Sequence, residues 1–146
     1  MKVHMSWIEN MKLEAVSDSN KVTMDAKSPI GHGQAMTPKE LVAAGLGGCT
    51  AMDVIALLKK HKQNYKTLDV DVDITTTTGV QPATFQKAEV IFNVTGEVDA
   101  NILLDSVKLS QTKYCGVSAM LVKAFPINYS VILNSIKIGE GQAHFN

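Results

Sequence analysis

TPKELVAAGLGGCTAMDVIALLKKHK, residues 37–62, decides how this chain folds. Thr37 is a good helix N-cap, Pro38 takes the first helical position, and Glu40 stands three residues after Thr37. That is a capping box with its proline in the favoured place. Leu41, Val42, Ala43, Ala44, Leu46, Ala51, Met52, Val54, Ile55 and Leu57 follow, so the helix is apolar on nearly all sides. Such a helix is buried rather than laid on a surface. Lys59, Lys60, His61 and Lys62 suit the negative end of the helix dipole, and the helix is predicted to run to about Lys62. Gly45, Gly47 and Gly48 lie inside it. Each glycine costs about 0.8–1 kcal/mol against alanine in a helix interior. The expected offset is close approach of another backbone, or room for a substrate beside Cys49.

Working outward, the first 27 residues read as strands. Val3, Met5 and Trp7 alternate with polar neighbours, as do Met11, Leu13 and Ala15, and again Val22, Met24 and Ala26. Asp18-Ser19-Asn20 marks a turn. A Gly-, Ser- and Pro-rich loop from Lys27 to Met36 leads into the helix. After it, Leu68, Val70, Val72 and Ile74 alternate with Asp69, Asp71 and Asp73, giving a strand with one dry and one acidic face. Residues 79–82 turn the chain into a strand carrying Val90, Phe92 and Val94. Asp99 can cap a short helix with Ile102, Leu103 and Val107. A break at Lys113–Gly116 precedes a helical piece, Val117–Lys123. Phe125, Ile127, Tyr129, Val131 and Leu133 form a last strand, and Gly139–Asn146 read as a frayed end. The order β-β-β-α-β-β-α-α-β predicts an α+β fold, a mostly antiparallel sheet packed on one long buried helix. No repeat or linker divides residues 1–146, which read as a single domain.

The 146 residues carry 14 lysines against 14 acidic residues, for zero net charge, and contain no arginine. No basic field points to nucleic acid or to an anionic membrane. A chemistry needing a guanidinium fork has to do without it or take it from another molecule. The longest apolar run, Leu41–Leu58, holds Asp53 and three glycines, unlike a membrane span of about 20 apolar residues. The start has no basic region followed by an apolar one. A cytoplasmic protein with reduced thiols is therefore expected.

Cys49 sits in the middle of the long helix and Cys115 at the break before the Val117 helix. A thiol near a helix N-terminus feels positive potential, which favours the thiolate, and Lys113 adds to it if its side chain turns inward. The competing reading is two small buried hydrophobes. His4, His32, His61 and His144 are scattered without ligand spacing, and no metal is expected. Asp69, Asp71 and Asp73 lie on a strand with no glycine turn and read as a solvated face, not a calcium loop. Asp53, one helical turn after Cys49, shares its face. As an anion it would raise the thiol pKa, unless it caps a backbone or pairs with a lysine.

The stretches PKELVAAGLGGCTAMD (38–53) and KYCGVSAMLVKAFPINYSV (113–131) resemble the two cysteine motifs of the OsmC/Ohr family. With VHMSWIENMKLEA (3–15) and VTMDA (22–26), the chain is similar to the YhfA-like branch of OsmC-like proteins, in order and over nearly its whole length. The resemblance implies an OsmC-like fold in an intertwined homodimer, with each site at the subunit interface. It implies a cofactor-free thiol peroxidase that reduces organic hydroperoxides. Cys49 would attack the peroxide, Cys115 would resolve the sulfenic acid as a disulfide, and a dihydrolipoyl group or other thiol would reduce it. In the family's peroxidases an arginine from the N-terminal strands is held by a glutamate ten residues before the first cysteine. Here that position is Lys39 and the glutamate is Glu40. Glu40 is therefore a candidate site residue besides closing the capping box, and Lys39, Lys12 and Lys113 are candidate cations near the thiolate. The alternative is a binding or redox-sensing protein on the same fold, with a small apolar ligand in the interface pocket. A persulfide-carrying Cys49 is a third reading.

Overall fold

The computed structural model describes residues 1–146. The chain forms two compact units, Met1–Val42 and Ala43–Asn146. In the first, β1 (His4–Glu9), β2 (Lys12–Ser17) and β3 (Asn20–Met24) make an antiparallel sheet in the order β1-β2-β3. The predicted turn carries Asp18 at φ 52°. The loop that follows is organised by one buried carboxylate. Asp25 accepts hydrogen bonds from the backbone N–H groups of Ala26 (2.8 Å), His32 (3.3 Å) and Gln34 (3.1 Å). Gln34 foremost, these donors hold its carboxyl below the usual range against the cost of burial.

The capping box forms as predicted. Glu40 N–H donates to Thr37 Oγ1 at 3.2 Å, and Thr37 N–H donates to Glu40 Oε2 at 2.8 Å. The helix it opens, α1, runs Pro38–Lys60. It stops short of the expected Lys62 because Lys62 turns left-handed at φ 54°. Gln63 N–H then reaches Leu58 O at 2.9 Å and Lys62 N–H reaches Lys59 O at 3.0 Å. These are the two bonds of a Schellman stop, made here without the usual glycine.

In the second unit, β4 (Asn64–Thr76), β5 (Phe85–Glu97), β6 (Ile127–Leu133) and β7 (Ile136–Gln142) form one sheet in that order. The β5–β6 pair is parallel and the other two are antiparallel. The parallel pair is reached through α2 (Ala100–Leu109), a π-turn at Ser110–Tyr114 and α3 (Gly116–Leu121). Asp99 caps α2 through Asn101 N–H and Ile102 N–H, as its sequence predicts. Leu46, Val54 and Leu58 of α1 join Val90, Phe92, Val94, Leu103, Val107 and Val131 in the core. The fold is α+β.

Two expectations need correction. The end is not frayed: β7 occupies residues 136–142, and its glycines are where side chains cross. A Cβ at Gly139 would lie 2.5 Å from Leu104 Cδ2, and one at Gly141 2.4 Å from Tyr129 Oη. Nor is α1 enclosed on all sides. Leu46, Gly47, Thr50, Val54 and Leu58 are its buried residues, whereas Met52 is 72% exposed and Val42 41%. The glycines divide in the same way. A Cβ at Gly47 would meet Val72 Cγ2 at 3.0 Å, so the helix packs closely on β4 there, whereas Gly45 and Gly48 face open space. By length and composition alone α1 is apolar enough to cross a membrane. In this fold its buried face is the wall of the core.

Lys27 Nζ lies 2.6 Å from Glu40 Oε1. This ammonium, and next the Thr37 N–H, bring the Glu40 carboxyl from its ordinary 4.5 down to about 2. The folded state thus binds this proton more weakly than the unfolded chain, and acid favours unfolding. The contribution is complete above the ordinary value of 4.5 and disappears as the pH falls toward about 2. Thermal melts followed by circular dichroism should therefore lose Tm across that window, and Glu40→Gln should flatten the dependence.

Candidate active site

Cys49 occupies the middle of α1, half-buried, with Asp53 one turn further along the same face. Cys115 comes from the other side of the core. The π-turn ends on it: Cys115 N–H donates to Ser110 O at 3.0 Å. It then leaves the helical conformation (φ −69°, ψ 101°) and caps α3, its Sγ accepting from Ser118 N–H at 3.2 Å. This arrangement turns the sulfur inward, and the residue is fully buried. Both cysteines are free. Cys49 Sγ, Cys115 Sγ and an Asp53 carboxylate oxygen all lie within 4.8 Å of one another.

A chain of buried hydroxyls and one amide ties these segments together. Ser110 Oγ donates to Asp53 Oδ2 at 2.9 Å. Its single hydrogen is thereby used, so Thr50 donates to Ser110 Oγ across 3.0 Å. Gln111 Nε2 donates to Thr50 Oγ1 at 2.7 Å, and Ser118 Oγ donates to Gln111 Oε1 at 3.3 Å. Every hydrogen in the series points toward the Asp53 carboxylate. Thr50, Ser110, Gln111 and Ser118 are all buried, and no buried side-chain nitrogen or oxygen lacks a partner.

The expectation of a thiolate at Cys115 is overturned. Burial first, and the Cys49 sulfur beside it, push the thiol up to about 11, outweighing the Ser118 hydrogen bonds. Lys113 does not offset this. Its ammonium stands 5.5 Å from the centroid of the Tyr114 ring, in an exposed stretch. Lys12 bonds Gln34 at 2.5 Å and lies 3.6 Å from Glu9. Lys39 projects from the exposed first turn of α1. The cation that Glu40 holds is Lys27, a residue the spacing argument passed over. The four histidines are dispersed and exposed, and Asp69, Asp71 and Asp73 form the solvent face of β4 as expected. A polar groove of about 670 Å³, lined by Asp73, Glu89, Asn128, Lys137 and Glu140 among others, contains neither cysteine.

Sequence reasoning missed Thr50, Ser110, Gln111 and Ser118. A signal for one of them was present: Ser110 falls four residues after Ser106, in step with Leu103 and Val107, where an apolar stripe turns polar. In a Cys49→Ser variant the remaining thiol loses the neighbour that raises it. Alkylation of Cys115 followed against pH should then give a midpoint below that in the wild-type protein. An unmoved midpoint would mean the two sulfurs do not interact.

The OsmC-like protein family matches residues 31–130. Protein YhfA of Escherichia coli (strain K12) is 32% identical over 133 residues, covering 89% of this chain and 96% of the relative. Among solved structures, an OsmC-like protein from Mycoplasma pneumoniae superposes with a TM-score of 0.79 at 15% identity, over 90% of this chain and 95% of that one. An organic hydroperoxide resistance protein from Elizabethkingia anophelis gives 0.69 at 15% identity, over 92% and 97%. At those identities the two structures speak for the fold alone, while the family match and the bacterial relative carry the descent. The order of elements, the paired sulfurs and these likenesses agree: the chain belongs to the OsmC-like family.

Proposed function

We propose that this protein is a thiol peroxidase that reduces organic hydroperoxides. The observation that carries the reading is the meeting of two free sulfurs, one half-buried and one fully buried, from α1 and from the N-terminus of α3. Cys49 is the attacking group because peroxide can reach it. Its thiolate takes the distal oxygen of ROOH, the O–O bond breaks, and with one proton the products are Cys49 sulfenic acid and ROH. Cys115 then displaces hydroxide from that sulfur. Its own proton leaves with the hydroxide as water, and a Cys49–Cys115 disulfide remains. An external dithiol, such as a dihydrolipoyl group, returns both residues to thiols and is itself oxidised to the disulfide. A thiol that stays protonated at neutral pH, as Cys115 does, does not compete for peroxide; it waits for the sulfenic acid. Low-molecular thiol reductants place the protein in a reducing compartment, the cytoplasm.

Glu40 holds Lys27, and a lysine supplies charge without the bidentate fork of an arginine. Equimolar cumene hydroperoxide should consume both thiols of the reduced protein. Cys49→Ser should be inert, and Cys115→Ser should accumulate a sulfenic acid that dimedone traps. Thiols that survive the peroxide untouched would leave the ligand-binding reading in its place.

The whole chain acts, in this reading, within an intertwined homodimer. Support comes from apolar surface that a single chain leaves bare: β1 is exposed throughout, with Trp7 70% exposed, and so are Met5, Ile8 and Met11 of the same sheet and Val42 and Met52 of α1. Apolar surface on this scale marks an interface. Sedimentation should give twice 15.8 kDa. Trp7 is the only tryptophan, so its emission should be blue-shifted and shielded from acrylamide, and Trp7→Glu should yield monomers. A quencher-accessible Trp7 in the native protein would count against the dimer.

A further inference from the structure

We propose that the reduced protein binds a thiophilic divalent cation, Zn²⁺ in the first instance, through Cys49 Sγ, Cys115 Sγ and the Asp53 carboxylate. This goes beyond the peroxidase reading and does not require it, because that cycle uses the two sulfurs and leaves the carboxylate without a part.

Geometry supports the site. Zinc takes sulfur at about 2.3 Å and carboxylate oxygen at about 2.0–2.2 Å. In a tetrahedral shell, neighbouring ligand atoms then lie roughly 3.5–3.8 Å apart. All three donor atoms here already lie within 4.8 Å of one another. They need only draw in by small side-chain rotations. Cys49 and Asp53 stand four residues apart on one face of a rigid helix, the spacing that brings two side chains to one point. Cys115 is fixed by its own backbone bonds at the end of the π-turn.

Chemistry selects the class of ion. Two sulfurs and one oxygen suit Zn²⁺ or Co²⁺, whereas Ca²⁺ and Mg²⁺ ask for oxygen alone. The outer shell is in place as well. A ligating carboxylate needs a hydrogen bond that orients it. Ser110 supplies one to Asp53 Oδ2 at 2.9 Å, backed by Thr50 and Gln111. A divalent ion would supply the positive charge that two thiolates and a carboxylate need in order to share so small a volume. The protein offers three ligands, so a fourth position remains for water or an added ligand on the half-exposed Cys49 side. Binding and oxidation are then mutually exclusive. The sulfur lone pairs that hold the ion are the ones that attack a peroxide, and a disulfide has none of that basicity left.

The test uses Co²⁺ as the spectroscopic probe on the reduced, full-length protein without oxygen. Expected are an intense near-ultraviolet thiolate-to-cobalt band, one ion per chain at saturation, and full displacement by Zn²⁺. The same protein oxidised to the disulfide should give no band. Asp53→Asn, shown by its melting curve to be folded, should bind at least about 10-fold more weakly, since losing a ligand costs no less than losing a ligand's outer-shell partner. Cys115→Ser should lose roughly half of the band. Absence of the band in the reduced wild-type protein would overturn the proposal, as would a band that persists in the disulfide form or unchanged affinity in Asp53→Asn. No peroxide is consumed in these measurements, so their failure and a failure of the peroxidase reading are separate results.

Discussion

The crossing of α1 with the segment from Ser110 to Ser118 is the constraint on which the rest depends. Its register is fixed by the buried series Ser118, Gln111, Thr50, Ser110, Asp53. Apolar packing brings the helix to the sheet but is tolerant of small slips. A buried amide is not. Gln111 has a donor end and an acceptor end, and both are used. If α1 turned by one residue, Thr50 would leave Gln111 and Ser110 at once. Each orphaned buried group costs about 1–3 kcal/mol. Cys49 immediately precedes Thr50 in the chain, so the bond that fixes Thr50 also fixes where the Cys49 sulfur lies. The backbone of Gln111 is held too, since its carbonyl accepts from His144 N–H at 3.0 Å. The last residues of the chain thus support the site from behind.

Two sulfurs in contact gain little from being alike. Here they differ in the property that matters for thiol chemistry. Cys115 is enclosed and keeps its proton; Cys49 is open on one side. Burial does the first and the exposed face of α1 allows the second. The helix N-terminus behind Cys115 offers a single N–H, and α3 is only six residues long. Its pull on the thiolate is small against the loss of water around sulfur. The general rule that helix N-termini make reactive cysteines assumes that solvent still reaches the thiol.

Much of the fold was legible because strong local signals coincide with the structure: the capping box at Thr37 and Glu40, the alternation of β4, and the Asp99 cap. The pairing of the cysteines rested on resemblance, since no local signal relates residue 49 to residue 115. What stayed hidden was long-range or disguised. In β7 the glycines at 139 and 141 looked like disorder, yet their period of two is a strand period, and Leu104 and Tyr129 fill the space their side chains would take. The bare face of α1 could not be told from a buried one, because an apolar stripe reads the same whether its cover comes from the same chain or from another. Lys27 was overlooked because the loop that carries it to Glu40 is shaped by Asp25, whose three backbone partners leave no pattern in sequence.

A chain with fourteen lysines and no arginine has to hold its important carboxylates without a planar fork. It does so in three ways. Asp25 is held by three backbone N–H groups, Glu40 by a backbone N–H and a lysine, and Asp53 by the hydroxyl of Ser110. The choice of partner has chemical consequences. Backbone donors surround Asp25 and turn it into a fixed point of the loop. The ammonium on Glu40 closes an ion pair at the start of α1. A hydroxyl orients a carboxylate without cancelling its charge, so Asp53 presents an anionic oxygen to the two sulfurs. That oxygen is what separates the two proposed chemistries: the peroxidase cycle would call on the two sulfurs alone, whereas a bound cation would draw on the sulfurs and the Asp53 oxygen together.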